Sequence, residues 1–264
     1  MRPVLLSLGP VSIYSWGFLL ALGTLLGGWG AVSLARRSGW EQPEDLLDVG
    51  VGAVLAGVLG SRLNYLLLYK PQEFLRRPGI FFQFSDGGLV FYGGLLAGIV
   101  AGGWLARRRN LRFWDTGDIL VPFLAAGYGL VRIGCFLNGC CYGRVSQVPW
   151  AVVMPQLGDN LPRHPVQLYA AVMGMLLGWL LFRLYQRRLF SGAVFLIGIA
   201  GGAVERFIED FFRDTLMYTS TLTVAQVVSA GLFLVALILY FWRKEYLIKQ
   251  QLKEGKLSND PTRN

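Results

Sequence analysis

Leu120-Val121-Pro122-Phe123-Leu124-Ala125-Ala126-Gly127-Tyr128-Gly129-Leu130 runs straight into Val131-Arg132-Ile133-Gly134-Cys135-Phe136-Leu137-Asn138-Gly139-Cys140-Cys141-Tyr142-Gly143-Arg144. The first part is uncharged and apolar. With its flanks it forms a block over roughly 118–137, close to the ~20 residues that cross a bilayer core. The second part sets Arg132 at the end of that block. A glycine-punctuated turn follows, and it carries all three cysteines of the chain. A guanidinium inside an apolar span is costly, so its presence marks a candidate site.

The same pattern recurs outward from this stretch. Further apolar blocks lie near 13–34, 47–69, 88–106, 166–184, 190–206 and 222–242, in a chain of 264 residues that is 54% hydrophobic and 16% charged. Seven blocks with short connections predict an all-α, polytopic membrane bundle of about seven helices. Residues 1–245 form its membrane domain and 246–264 a polar tail. The first block reads as a retained helix: only Arg2 precedes it, and no small-residue cleavage pattern comes before Arg36.

The net charge of +9 points to no nucleic acid, because the basic residues cluster at block ends. Arg36, Arg37, Arg107, Arg108, Arg109, Arg112, Arg183, Arg187 and Arg188 fall on one side, with the basic tail after Arg243. They outnumber the basic residues of the other connections. That bias predicts an external N-terminus and a cytoplasmic C-terminus. Glycines spaced four apart at Gly23/Gly27, Gly94/Gly98/Gly102 and Gly198/Gly202 predict close helix packing. Residues 71–84 mix bulky apolar and basic side chains and read as an interfacial segment. The proline-rich stretch 143–165 reads as an extramembrane excursion with a β-hairpin near 149–154.

Arg62, Arg132, Arg206 and Arg213 stand in or beside apolar blocks. Two readings are open for each: its head snorkels to the headgroups, or it joins a guanidinium cluster that grips a phosphate with a planar fork. Arg206, Asp210 and Arg213 share one helix face by their spacing. Asp86-Gly87-Gly88 marks a turn, and Tyr92 either anchors at the interface or offers a phenol to a site. His164 is the only histidine, and it is braced by Pro162 and Pro165. Cys135, Cys140 and Cys141 read as small buried hydrophobes, as thiolates activated by Arg132 and Arg144, or as a disulfide pair with a spare thiol. Their spacing is neither C-x-x-C nor zinc-finger-like, and no metal site is expected.

These residues resemble the bacterial prolipoprotein diacylglyceryl transferases, whose signature runs approximately Gly-Arg-x-Gly-Asn-Phe-x-Asn-x-Glu-x-x-Gly. Arg132, Gly134, Phe136, Asn138 and Gly143 match it. Gly9-Pro10-Val11, Gly60-Ser61-Arg62, Asp86-Gly87-Gly88 with Gly93-Gly94, Arg163-His164-Pro165, Gln167-Leu168-Tyr169, Arg206, Arg213 and Gln226 follow the family order. The resemblance covers roughly 8–245.

It implies an enzyme of the bacterial cytoplasmic membrane with seven helices and no cofactor. That enzyme moves the diacylglyceryl group of phosphatidylglycerol to the lipobox cysteine of a preprolipoprotein. A thioether forms and glycerol phosphate leaves. Arg132 and Arg206 match arginines that hold the headgroup, with Arg62, Arg144 and Arg213 as supporting charges. Asn138, Gly143, His164 and Trp16 fall at substrate-binding positions, Trp16 where the family usually has tyrosine.

Departures stand beside the matches. Tyr92 occupies the place of a histidine proposed as the base, Cys135 that of asparagine, Cys140 that of glutamate and Val131 that of glycine. A phenol is a poor proton acceptor at neutral pH. Glu205, Glu209, Asp210 and His164 are the substitutes. A paralogue with altered donor or acceptor, or a non-enzymatic lipid-binding membrane protein, fits the same departures.

Overall fold

The computed structural model describes residues 4–8, 11–83, 88, 90–187, 189–213 and 222–253. Gly9-Pro10, Phe84, Asp86-Gly87, Arg188 and the end of the tail, all singled out above, lie outside the described residues. Two short antiparallel strands, β1 (Val4–Leu8) and β2 (Val11–Tyr14), lead into α1 (Ser15–Arg37). Then come α2 (Asp45–Tyr69), α3 (Pro71–Arg76), a 3-10 turn (Pro78–Phe82), α4 (Phe91–Arg108) and α5 (Phe113–Asn138). Strands β3 (Val152–Val153) and β4 (Pro162–Arg163) precede α6 (Val166–Gln186), α7 (Ala193–Asp210) and α8 (Val224–Lys253).

Each of the seven apolar blocks is a helix. Five of them, α1, α2, α5, α6 and α8, are long and apolar enough to cross a membrane. The other two, α4 and α7, have 18 residues each. The first ends on Arg107-Arg108 and the second carries Glu205, Arg206, Glu209 and Asp210, which lower their hydropathy. Large apolar side chains are exposed along the helices, among them Leu25, Trp29, Leu55, Leu96, Leu176, Trp179 and Ile238. In water these would form apolar patches far beyond those of a soluble protein. The chain is a multi-pass helical membrane protein.

The chain divides into two compact units, residues 24–116 and residues 1–23 with 117–264. In the first, α2 and α4 pack on small residues. A Cβ on Gly94 would stand 2.8 Å from the Gly57 carbonyl oxygen, and one on Gly98 3.1 Å from that of Ala53. Any side chain there would push the helices apart, as the four-residue spacing predicts. Arg109, just after α4, bridges Asp45 and Asp48 in the first turn of α2. Residues 71–82 form two short helical turns, with the Phe74, Phe81 and Phe82 rings in contact.

In the second unit, Val121, Leu181 and Val194 centre an apolar core of α5, α6 and α7. Gly178 of α6 sits so close to Pro122 that a Cβ would come within 2.7 Å of its carbonyl oxygen. Asp118 is buried and accepts from the backbone N–H groups of Gly192 and Phe195, both at 2.7 Å. A carboxylate from α5 thereby caps the N-terminus of α7, where orphan N–H groups favour negative charge. Gly198 packs on Val121 and Leu181, whereas Gly202 has open space where its Cβ would be. Only the first member of that glycine pair does the expected packing. The hairpin expected near 149–154 is a two-residue ladder instead, pairing Val152–Val153 with Pro162–Arg163.

Candidate functional site

Three arginines converge on one carboxylate in the second unit. Glu209 is fully buried. Its Oε2 lies 3.0 Å from Arg132 Nη2 and 3.2 Å from Arg206 Nη1, and its Oε1 lies 3.1 Å from Arg213 Nη1. Arg206 also pairs with Asp210 Oδ1 at 2.9 Å. The α7 spacing makes this possible: Glu209 and Asp210 follow Arg206 by three and four residues, and Arg213 follows Glu209 by four. Arg132 arrives from α5. Its Nε donates to Tyr128 Oη at 2.8 Å, and its guanidinium lies over the Tyr128 ring.

A second layer holds Asp210. Thr223 is the residue before α8, and its hydroxyl donates to Asp210 Oδ2. Gln226 N donates to Thr223 Oγ1 at 3.1 Å, and Thr223 N donates to Gln226 Oε1 at 3.0 Å. This reciprocal pair is a capping box read from Thr-x-x-Gln. Glu205 is buried one turn before Glu209, and its Oε1 has no hydrogen-bond partner among the described residues. The arrangement therefore presents three guanidiniums, two carboxylates bound to them and a third carboxylate that can accept a proton.

The turn quoted first builds the next wall. Gly139 has φ of 71°, Gly139 N donates to Phe136 O, and Cys140 N donates to Cys135 O, both at 3.1 Å. That bond pair is a Schellman motif, which needs a left-handed residue at Gly139. The chain then bonds to two segments at once. Gly143 N donates to His164 O, Arg144 N to Phe212 O, and Gly143 bridges Arg213. A Cβ on Gly143 would meet Phe212 O at 2.6 Å and His164 Cβ at 2.8 Å, so only glycine fits there. Gly134 approaches α1 in the same way, with a Cβ position 2.7 Å from Trp16 Cα.

His164 is held in an aromatic cluster. Its Nδ1 lies 3.1 Å from Tyr169 Oη, which accepts from Trp150 Nε1 at 2.6 Å, and its ring meets Phe212. Arg144 is exposed, and its Nη2 donates to Arg213 O at 3.4 Å. Asn138 closes α5. The hydrogen bond from Arg163 holds the Asp159 carboxyl below the usual carboxylate range and braces the loop.

Two expected site residues belong to the other unit. Arg62 donates to the backbone carbonyls of Ile80 at 2.8 Å, Gln83 at 2.6 Å and Gly88 at 3.4 Å. Tyr92 is the second residue of α4, and its ring meets Phe91 edge-on. Reading the sequence alone missed Tyr128, Thr223 and the central place of Glu209. Thr-x-x-Gln before an apolar block was the available signal for Thr223. Tyr128 lies one turn before Arg132, which was a weaker clue.

Fold and site together define a class: a helical membrane protein with a buried arginine–carboxylate cluster at the ends of its helices. A family model described as prolipoprotein diacylglyceryl transferase matches residues 3–242. Among similar proteins, the phosphatidylglycerol–prolipoprotein diacylglyceryl transferase of Glaesserella parasuis serovar 5 is 41% identical over 217 residues, 80% of each chain. That of Pasteurella multocida is 35% identical over 90% of each chain. That of Mannheimia succiniciproducens is 34% identical over 94% of this chain and 95% of its own. The chain belongs to the prolipoprotein diacylglyceryl transferase family, whose members are transferases.

Proposed function

We propose that this protein transfers the diacylglyceryl group of phosphatidylglycerol to the lipobox cysteine of a preprolipoprotein. It works in the bacterial cytoplasmic membrane, as one membrane domain over 1–245 with a polar cytoplasmic tail. Seven helices span the bilayer, with the N-terminus outside. The observation that carries the reading is the convergence of Arg132, Arg206 and Arg213 on Glu209. Glu209, Asp210 and Tyr128 together cannot use all the donors of three guanidiniums, each of which has five. The remaining donors suit a phosphate, and they are aimed before substrate arrives.

In the reaction, the acceptor sulfur forms a C–S bond to the terminal glyceryl carbon as the C–O bond to phosphate breaks. The departing glycerol phosphate keeps the electron pair, and Arg132 and Arg206 stabilise the growing charge. Arg213 and Arg144 are supporting charges. The thiol proton goes to Glu205, whose buried Oε1 has no hydrogen-bond partner among the described residues. Trp16 and Asn138 bound the lipid. Gly143, His164 and the loop to residue 165 position the lipobox segment.

The test is transfer from phosphatidylglycerol vesicles to a lipobox peptide, read by mass spectrometry as a diacylglyceryl thioether. Arg132→Ala should lower kcat by about 10²–10³, the loss typical of a missing anion-stabilising donor. Glu205→Gln should lower kcat by about 10²–10⁴ while leaving lipid binding in place, as loss of a proton acceptor does. Wild-type protein that never modifies the peptide would sink the transferase reading. Full turnover in Glu205→Gln would remove only the proton assignment.

A further inference from the structure

The cysteine spacing, one thiol followed after four residues by an adjacent pair, has no metal-site signature. The folded turn changes the picture. In a Schellman motif the residues at the third position before the helix end and the second position after it touch, usually through apolar side chains. Here those residues are Cys135 and Cys140. The left-handed backbone of Cys141, with φ of 59°, turns the third thiol to the same place. The three Sγ atoms all lie within 4.8 Å of one another. All three cysteines are free and partly buried. The turn is fixed from outside by Gln167, itself fully buried, whose Nε2 donates to Cys140 O at 2.6 Å.

Three sulfurs bound at about 2.3 Å to one ion stand about 4 Å apart. Small rotations of the thiols reach that geometry. Thiolates select soft cations. Among the described residues no histidine or carboxylate joins the group. Zn²⁺ would have to complete its usual four-coordinate shell with a non-protein ligand. A three-sulfur shell is sufficient for Cu(I).

We propose that Cys135, Cys140 and Cys141 form a binding site for a soft thiophilic cation, Cu(I) foremost, in a trigonal shell of three thiolate sulfurs. Three Cu–S bonds form, three protons pass to solvent, and the oxidation state of the metal does not change. The loaded site is anionic, and Arg132 stands one helical turn before Cys135 on α5.

The test uses the full chain in detergent micelles, reduced and free of oxygen, titrated with Cu(I) supplied as its acetonitrile complex. Competition with a chromogenic Cu(I) chelator should show one tightly held equivalent. X-ray absorption at the copper edge should show sulfur neighbours only. Cys135→Ser, Cys140→Ser and Cys141→Ser should each weaken binding by about 10- to 100-fold, at least what loss of an outer-shell partner costs. Cys141→Ser lies outside the helix and keeps the test alive if the triple serine variant fails to fold. Wild-type protein that competes no better than its serine variants overturns the site. So does a count of fewer than three alkylatable thiols in protein denatured without reductant, which would mean a disulfide. Transferase turnover of the copper-free wild type is read separately, so loss of the site and loss of the transferase reading are distinguishable.

Discussion

Arg132 and Arg62 are both buried arginines in apolar helices, with residual exposures of 8% and 4%. Arg132 ends on a carboxylate that it shares with two other arginines, and Arg62 ends on three backbone carbonyls. Either solution gives the guanidinium polar partners that an apolar surround demands. The consequences differ. Carbonyl oxygens engage both terminal nitrogens of Arg62 and carry no net charge, so this arginine holds Ile80, Gln83 and Gly88 to α2. Glu209 neutralises part of the charge of three arginines while occupying few of their donors. The first arrangement is a latch and the second is a site with donors to spare.

The comparison breaks first at Glu209. Glu209→Ala leaves three guanidiniums facing one another without the acceptor they share. Removing one partner of a buried pair costs about 3–5 kcal/mol. The expected outcome is a large drop in melting temperature in detergent and poor recovery of folded protein. Glu209→Gln should fold better, because it keeps the shape and one acceptor oxygen, and still lose most activity. A Glu209→Ala variant that melts like wild type would remove Glu209 from the centre of the site.

Arg62 gives a smaller and differently placed effect. Hydrogen bonds from a charged group contribute about 1.5–3 kcal/mol each. Arg62→Ala should accelerate hydrogen exchange at residues 80–83 and 88, and Arg62→Lys should restore part of the protection. If Arg62→Ala instead raises KM for phosphatidylglycerol with exchange unchanged, Arg62 is a phosphate ligand and the contrast with Arg132 collapses. The smallest effect belongs to Thr223. Thr223→Val removes the cap of α8 and the hydroxyl on Asp210, and losing such a cap costs about 1 kcal/mol. A modest fall in melting temperature with kcat preserved would show that the second layer supports Asp210 without entering the chemistry.

Particular residues show how far the sequence could be read. The block at 47–69 became a helix over Asp45–Tyr69, and the block at 166–184 one over Val166–Gln186. Apolar runs of this length have no other low-energy form in a bilayer, because every backbone polar group must be satisfied within the helix. The block at 190–206 was drawn short. The helix continues to Asp210 because Arg206 and Arg213 neutralise the carboxylates that hydropathy counts as breaks. The shared face of Arg206, Asp210 and Arg213 was legible, since it depends only on 3.6 residues per turn. The acceptors of Arg62 were not legible, because backbone carbonyls leave no trace in residue identity.

By itself the sequence determined the helices, the glycine face of α4, the family and the arginines worth testing. Each of these follows from local composition and spacing. The tertiary structure alone decided which carboxylate Arg132 would meet, 77 residues away on α7, and that Arg62 would grip backbone. It also decided that three cysteines without a recognisable spacing would share one small volume. A guanidinium or a thiol states what it can bind. Only the packing of one helix end against another states what is within reach.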